Sequence, residues 1–416
     1  MNSADGSGAQ PGAALVLPFA AAYFLSYFFR SVNAVISPDL VAAFSLSAGE
    51  LGLLTAAYFL AFALFQLPLG VLLDRFGPRR TNGALLLVAG LGALVFGGAR
   101  DVGELLAGRA LIGLGVSGCL MSAIKAFTLW FPGEQLPARI GGVMFAGGLG
   151  ALAATAPVEA ALSLTDWRGV FLVLGGAAWA AAAAIFLFVP ERDTGASGET
   201  MAQLASAMAR VFASALFWRI AAACTLFQGL NMAIQGLWAG PWLADVAAQS
   251  RAEVATTLLA LATATMCGFP FWGAVAARLA RKGVAPMSVF ASATGLFLCV
   301  QALLVLGVTA CPLLLWTAFG FFGTSGSLAF TVLSRSFPLG LTGRANTALN
   351  LLVFLTAFAI QWLFGVVVNY WPAPGGGYLA EGYRAAFGGF FLLELLAFAW
   401  LLRNRAVGAG RASDLR

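Results

Sequence analysis

The chain is 416 residues long, 61% hydrophobic and 10% charged, with a formal net charge of +6. So few charges cannot clothe the two or three water-soluble domains that this length would otherwise form. It has no His, and its five Cys are scattered through apolar segments without metal-ligand or disulfide spacing, so no cofactor is expected.

A helix needs about 20 apolar residues to cross a bilayer. Twelve stretches qualify, at 14–36, 51–73, 82–99, 104–130, 139–163, 169–189, 217–242, 254–277, 286–308, 312–335, 345–370 and 386–402. They predict an all-α integral membrane protein of 12 transmembrane helices. Residues 1–13 are polar and carry no basic leader, so a short tail followed by a permanent first span is expected.

Span one holds Arg30 in an apolar background. At about 100° per residue, Tyr23, Ser26, Tyr27, Arg30, Asn33 and Ser37 fall on one stripe, so that face is expected to look inward. The loop "GVLLDRFGPRR" (70–80), with Asp74 and Arg75, follows span two. Span four carries Arg109 and Lys125, about 160° apart around a straight helix and roughly 24 Å apart along it. Lys125 therefore either snorkels to the interface or supplies a second anion contact. Glu159 is the best candidate for a proton-carrying acid, since desolvation raises a carboxyl pKa.

The polar segment 190–216 is expected to link six-span units at 14–189 and 217–402, with a tail at 403–416. Span seven shows a second polar stripe: Cys224, Thr225, Gln228, Asn231, Gln235 and Trp238. Span eleven has a thinner one in Asn346, Asn350 and Gln361. Glu394, in the last span, fits a packing role better than a coupling one.

The halves repeat. "GAVAARLARKG" (273–283) aligns with the loop after span two at an offset of 203, and Pro241 falls on Pro38. "GVSG" (115–118) matches "GTSG" (323–326), Phe131-Pro132 matches Phe337-Pro338, and "DWRGVF" (166–171) matches "GYRAAF" (382–387). Order is kept through six spans per half, which argues for duplication of a six-helix unit. Carriers built this way bind solute at the midplane between the halves. The copies differ where charge matters: Ala233 aligns with Arg30, Thr317 with Arg109 and Ala277 with Asp74. One wall of the expected central cavity is therefore cationic and the other hydrogen-bonding. A guanidinium fork suits a carboxylate.

Of 23 basic residues, 16 fall in loops and tails on one side if the N-terminus is cytoplasmic, and four on the other. That bias places both termini in the cytoplasm and the protein in the inner (plasma) membrane. It also explains the net charge without nucleic acid as a partner.

"GVLLDRFGPRR" resembles the G-x-L-x-D-R-x-G-x-R-R loop of the major facilitator superfamily, and "RALIGLGVSG" (109–118) its fourth-helix motif. The resemblance implies two pseudo-symmetric six-helix bundles around a central cavity, working by alternating access. It implies that Asp74 docks on the start of span eleven near Arg344, and that Arg109 either couples or ties helices one and four together. "YFFRSVNAVISPDL" resembles the first helix of sugar-acid symporters and organophosphate antiporters, where the matching Arg binds the anion. This chain departs from the symporters at Phe29, where they have Asp, and at Gly113, Val116 and Ser117, where they have a Glu. It departs from the antiporters in lacking an Arg in span seven. The Arg positions of nitrate carriers and the G-P-x-x-G-G motif of drug antiporters are absent.

The expected function is a secondary transporter of a small organic anion, acting as a monomer, with protons as the candidate coupling ion. The expected solute contacts are Arg30, Tyr23, Tyr27, Asn33, Gln228, Asn231, Gln235, Asn350 and Lys125. Arg109, Glu159, Asp74 and Arg75 are expected to couple or gate. A drug or neutral-solute exporter and a non-transporting sensor are the competing readings; an enzyme is disfavoured.

Overall fold

The structure, a computed structural model, describes residues 12–191 and 201–403. The expected tails and the polar run of the linker lie almost wholly outside these residues. Helix dominates the described residues, with one isolated bridge between Pro372 and Tyr378.

The first half contains α1 (Gly12–Ser31), α2 (Asn33–Phe44), α3 (Ala48–Gly98), α4 (Val102–Val116), α5 (Cys119–Trp130), α6 (Leu136–Ala153), α7 (Ala156–Ala161) and α8 (Trp167–Phe188). The second contains α10 (Ala215–Ala233), α11 (Ala239–Asp245), α12 (Arg251–Arg281), α13 (Pro286–Val305), α14 (Pro312–Gly323), α15 (Leu328–Ser336), α16 (Leu339–Val368) and α17 (Ala380–Arg403). Between them α9 (Met201–Phe212) occupies the expected linker. Its Met208 and Val211 are buried, so this stretch is a packed amphipathic helix where the sequence reading expected loop.

Eleven of these segments are long and apolar enough to cross a membrane among the described residues. The 51-residue α3 would run ~76 Å at about 1.5 Å per residue, far beyond a hydrocarbon core of about 30 Å. Gly77, at φ 75°, breaks it into two spans, because that backbone region is open to Gly without steric penalty. The total is then the twelve expected.

Five expected spans are interrupted. Span one breaks at Val32, span four at Ser117–Gly118 and span five at Ala154–Thr155. Span ten passes through a 3-10 turn at Thr324–Ser327. The breaks in spans four and ten fall on the matched GVSG and GTSG. There Ser117 Oγ donates to the Leu114 carbonyl at 2.7 Å and Thr324 Oγ1 to the Phe321 carbonyl at 2.8 Å. Such local bonds compete with the helical ladder. Span seven contains a π turn, Ile234–Trp238, aligned at offset 203 with the break in span one.

The duplication reaches backbone detail. Among the described residues, Ser45 and Ala248, 203 residues apart, are the two non-Gly residues with positive φ, at 52° and 51°. Capping boxes at the same offset start α3 (Ser47 with Glu50) and α12 (Ser250 with Glu253), each satisfying orphan amides at a helix start. Small residues bring helices together: a Cβ on Gly150 of α6 would overlap the Phe24 carbonyl of α1, and one on Gly113 of α4 the Tyr58 backbone. In lipid this close packing replaces the hydrophobic drive between helices.

The two ends of the bundle differ. Contacts between the halves begin at the end carrying Asp39 (the Asp39 face). Gly52 lies against Trp238 and the Gln361–Trp362 backbone, Gly148 against Met266, and Gly240 against the Ala34 carbonyl. Ala48 N–H donates to Tyr378 Oη at 2.7 Å. The opposite end carries the Gly77 turn.

Candidate functional site

Arg30 sits in the last turn of α1, just before the break at Val32. Its guanidinium lies 3.7 Å from the centroid of the Tyr27 ring, close enough for an attractive cation–π contact. Tyr23 donates to Tyr27 Oη at 3.4 Å, and their rings meet edge to face at 5.0 Å. Gly147 of α6 makes room, since a Cβ there would fall 2.7 Å from the Tyr23 ring and 3.1 Å from Tyr27. Arg30 is half-buried, and no described carboxylate forms an ion pair with it.

Opposite lies the π turn. A Cβ on Gly236 would be 3.6 Å from the Arg30 carbonyl, so the second half touches the first at this residue. Gln235 Nε2 donates to Asn231 Oδ1 at 2.7 Å, and Thr265 Oγ1 donates to Gln235 Oε1 at 3.4 Å. The extra residue of a π turn rotates the following side chains, and such turns recur at functional sites. Gln228 lies half-buried one turn earlier, against Gly326. Asn350 is half-buried on α16. Midway along the first span of α3, Phe62 and Phe354 stack across the halves at 4.0 Å, with Tyr58 and Phe59 around them.

The other expected site residues go elsewhere. Asn33 is wholly buried and donates to Thr55 Oγ1 at 3.0 Å, tying span one to span two; no solute reaches it in this conformation. Arg109 is also wholly buried; its Nη1 donates to the Phe29 carbonyl at 2.9 Å, and Tyr58 and Phe96 rings lie 5.8 and 5.6 Å away. That is the helix-tying alternative. Lys125 forms an ion pair with Asp74 at 2.8 Å. The break at Ser117–Gly118 changes the phase of span four, so straight-helix geometry does not fix where Lys125 points. Asp74 therefore has a partner in its own half, and Arg75 is exposed. Gln361 is buried against span seven, its carbonyl accepting from Trp238 Nε1 at 3.0 Å.

Glu159 is at the Asp39 face. Arg251, the first residue of α12, reaches across the halves and donates to Asp39 at 3.1 and 2.6 Å and to Glu159 at 2.8 Å. Glu159 thus pairs with Arg251, and Arg30 pairs with neither acid. Sequence reading missed Asp39 and Arg251 as partners, and missed Thr265. The S-x-x-E capping signature at Ser250 marks where α12 starts, but no local signal names a partner 212 residues away.

Arg30 is thus a cation stacked on an aromatic ring, and its backbone touches a turn whose side chains form a chain of neutral donors and acceptors. A guanidinium suits a planar anion chemically.

Sequence and fold comparisons agree on the class. The profile of the Major Facilitator Superfamily matches residues 19–361, and the chain belongs to that family. A protein described as a probable sulfoacetate transporter of Cupriavidus necator is 29% identical over 153 residues, covering 37% of this chain and 36% of that one. A probable L-galactonate transporter of Escherichia coli is 31% identical over 167 residues, covering 40% and 36%. The hexuronate transporter of Escherichia coli is 26% identical over 215 residues, covering 47% and 49%. The alignments thus span about a third to a half of these relatives. Among solved structures, a bacterial homolog of the human lysosomal transporter Spinster, inward-facing and unoccupied, superposes with TM-score 0.76 at 17% identity, covering 95% of this chain and 97% of that one. The D-xylose–proton symporter gives TM-score 0.71 at 15% identity, covering 94% and 97%. The chain is thus a multi-pass membrane protein with the twelve-helix transporter fold.

Proposed function

We propose that this chain is a secondary transporter that carries a small organic anion, bearing a carboxylate or sulfonate, by alternating access. The observation that carries the reading is Arg30: a half-buried guanidinium on the inner face of span one, held by Tyr27, without a carboxylate partner. Placing an arginine within the membrane costs about 2.5–3.5 kcal/mol on insertion scales unless it meets a partner or a water-filled space, and an anionic solute supplies the partner. The relatives' named solutes, sulfoacetate, galactonate and hexuronate, are all organic-acid anions.

The positive-charge bias supports a cytoplasmic Gly77 face and plasma-membrane residence with both termini cytoplasmic. The closed Asp39 face is then external and this conformer inward-facing. Asp74 contacts the start of α16 in the outward-facing conformer, which makes Asp74→Asn a variant with slower turnover and normal membrane insertion. The two six-helix units move about the substrate as bodies 14–189 and 217–402 within one monomer.

Thermal-shift titration of purified protein against sulfoacetate, galactonate and glucuronate tests the reading. At least one anion is expected to raise Tm, and Arg30→Gln to remove the shift. Stabilisation by cationic or neutral solutes alone, or an unchanged response of Arg30→Gln, would sink it. Proteoliposome uptake with and without an imposed pH gradient separates a proton symporter from an exchanger.

A further inference from the structure

A concavity lies on the Gly77 face, remote from the Asp39-face ion cluster. It encloses about 350 Å³ between the Gly77 turn, the end of α5 and the end of α8; Arg75, Arg79, Arg80, Trp130, Pro190 and Glu191 are among its walls. Glu191 accepts from Arg80 at 2.5 Å and lies 3.6 Å from Arg79, and Arg79 also donates to the Phe186 carbonyl. Two guanidinium groups are thus braced on the wall. The third, Arg75, is exposed and sits 5.3 Å from the ring of exposed Phe76. Among the described residues, three cations face one carboxylate, leaving two net positive charges in a concave site.

Its depth selects the ligand. Three membrane helices end here, so the pocket lies at the headgroup layer, and Trp130 has the position of an interfacial aromatic. Basic pockets between membrane helices at this level suit anionic headgroups, and guanidinium forks match phosphate oxygens in pairs. A lipid phosphate is confined to this layer, so its effective concentration is high. We propose that this pocket binds the phosphodiester of an anionic phospholipid from the leaflet on the Gly77 face. The site is separate from Arg30 and does not depend on the solute assigned there.

Native mass spectrometry of the full-length protein tests this, after exchange into mixed micelles of phosphatidylglycerol and phosphatidylcholine. Wild type is expected to retain phosphatidylglycerol several-fold over phosphatidylcholine. Combining Arg75→Gln with Arg80→Gln should reduce that preference at least fivefold. Arg278→Gln, which removes an exposed charge at the aligned position of the other half, should leave it intact. Glu191→Gln removes the competing carboxylate and should increase retention, a gain that misfolding cannot imitate. Equal retention of both lipids, or an Arg278→Gln loss as large as that of the double variant, overturns the pocket. Inorganic phosphate stabilising the protein to the same extent as phosphatidylglycerol would make it a soluble-anion site and overturn the lipid assignment.

Discussion

Arg30 is stacked on Tyr27, and in the proposed function its guanidinium meets the anion. A charge-assisted hydrogen bond contributes about 1.5–3 kcal/mol, so Arg30→Gln should weaken anion binding by roughly ten- to a hundredfold. Arg30→Lys keeps the charge but loses the planar fork, and should recover only part of that affinity in the same titration. Arg109 is a different kind of arginine: its bond to the Phe29 carbonyl ties α4 to α1. Arg109→Gln should lower Tm with or without ligand, measured by thermal unfolding in detergent. An anion affinity lost at unchanged Tm would instead place Arg109 in the binding step. Both arginines are visible in the sequence as intramembrane charges. Their difference is not, because burial and partners are set by neighbouring helices.

Helix interruptions shape the site at the next scale. The π turn at Ile234–Trp238 places Gln235 between Asn231 and Thr265 and sets Gly236 against Arg30. Sequence patterning finds the polar stripe of span seven but not this turn, since a regular period of about 3.6 residues is assumed in drawing the stripe. Close helix approach is the other device. Gly150→Ala should push α6 off α1, where its Cβ would meet the Phe24 carbonyl. Overpacking of this kind costs typically 1–3 kcal/mol, and a lowered Tm together with displaced Tyr23 and Tyr27 should weaken anion binding as well. An unchanged Tm would mean that the backbones separate without penalty.

Across the whole molecule, the Arg251 cluster joins the halves at one face, and the Tyr378 bond to Ala48 adds a second tie. The three side chains are partly exposed, at 43% for Arg251, 29% for Asp39 and 23% for Glu159. Each pair is accordingly worth about 0.2–1 kcal/mol. Arg251→Gln should shift the population toward the conformer open at the Asp39 face by a few-fold. Labelling of a cysteine placed at the aligned rim, or a spin-label distance across that face, would register the shift. An unmoved distance distribution would show that apolar contacts such as Gly52 against Trp238 hold the face closed by themselves. Glu159, legible as an intramembrane acid, takes its role from a cation in the other half.

The sequence alone determined the membrane class, the number of spans, the duplication and the family, because these rest on composition, length and order along the chain. It also marked Arg30 and the facing amides as the polar surfaces of two repeat-related helices. The tertiary structure decided which polar residues remain half-open and which are used up: Asn33 on Thr55, Arg109 on Phe29, Lys125 on Asp74, Glu159 on Arg251. Those pairings join residues from 22 to 92 positions apart. The physical reason is that a polar group inside a bilayer must find a partner nearby in space, and helical periodicity gives the direction a side chain points without naming what it meets.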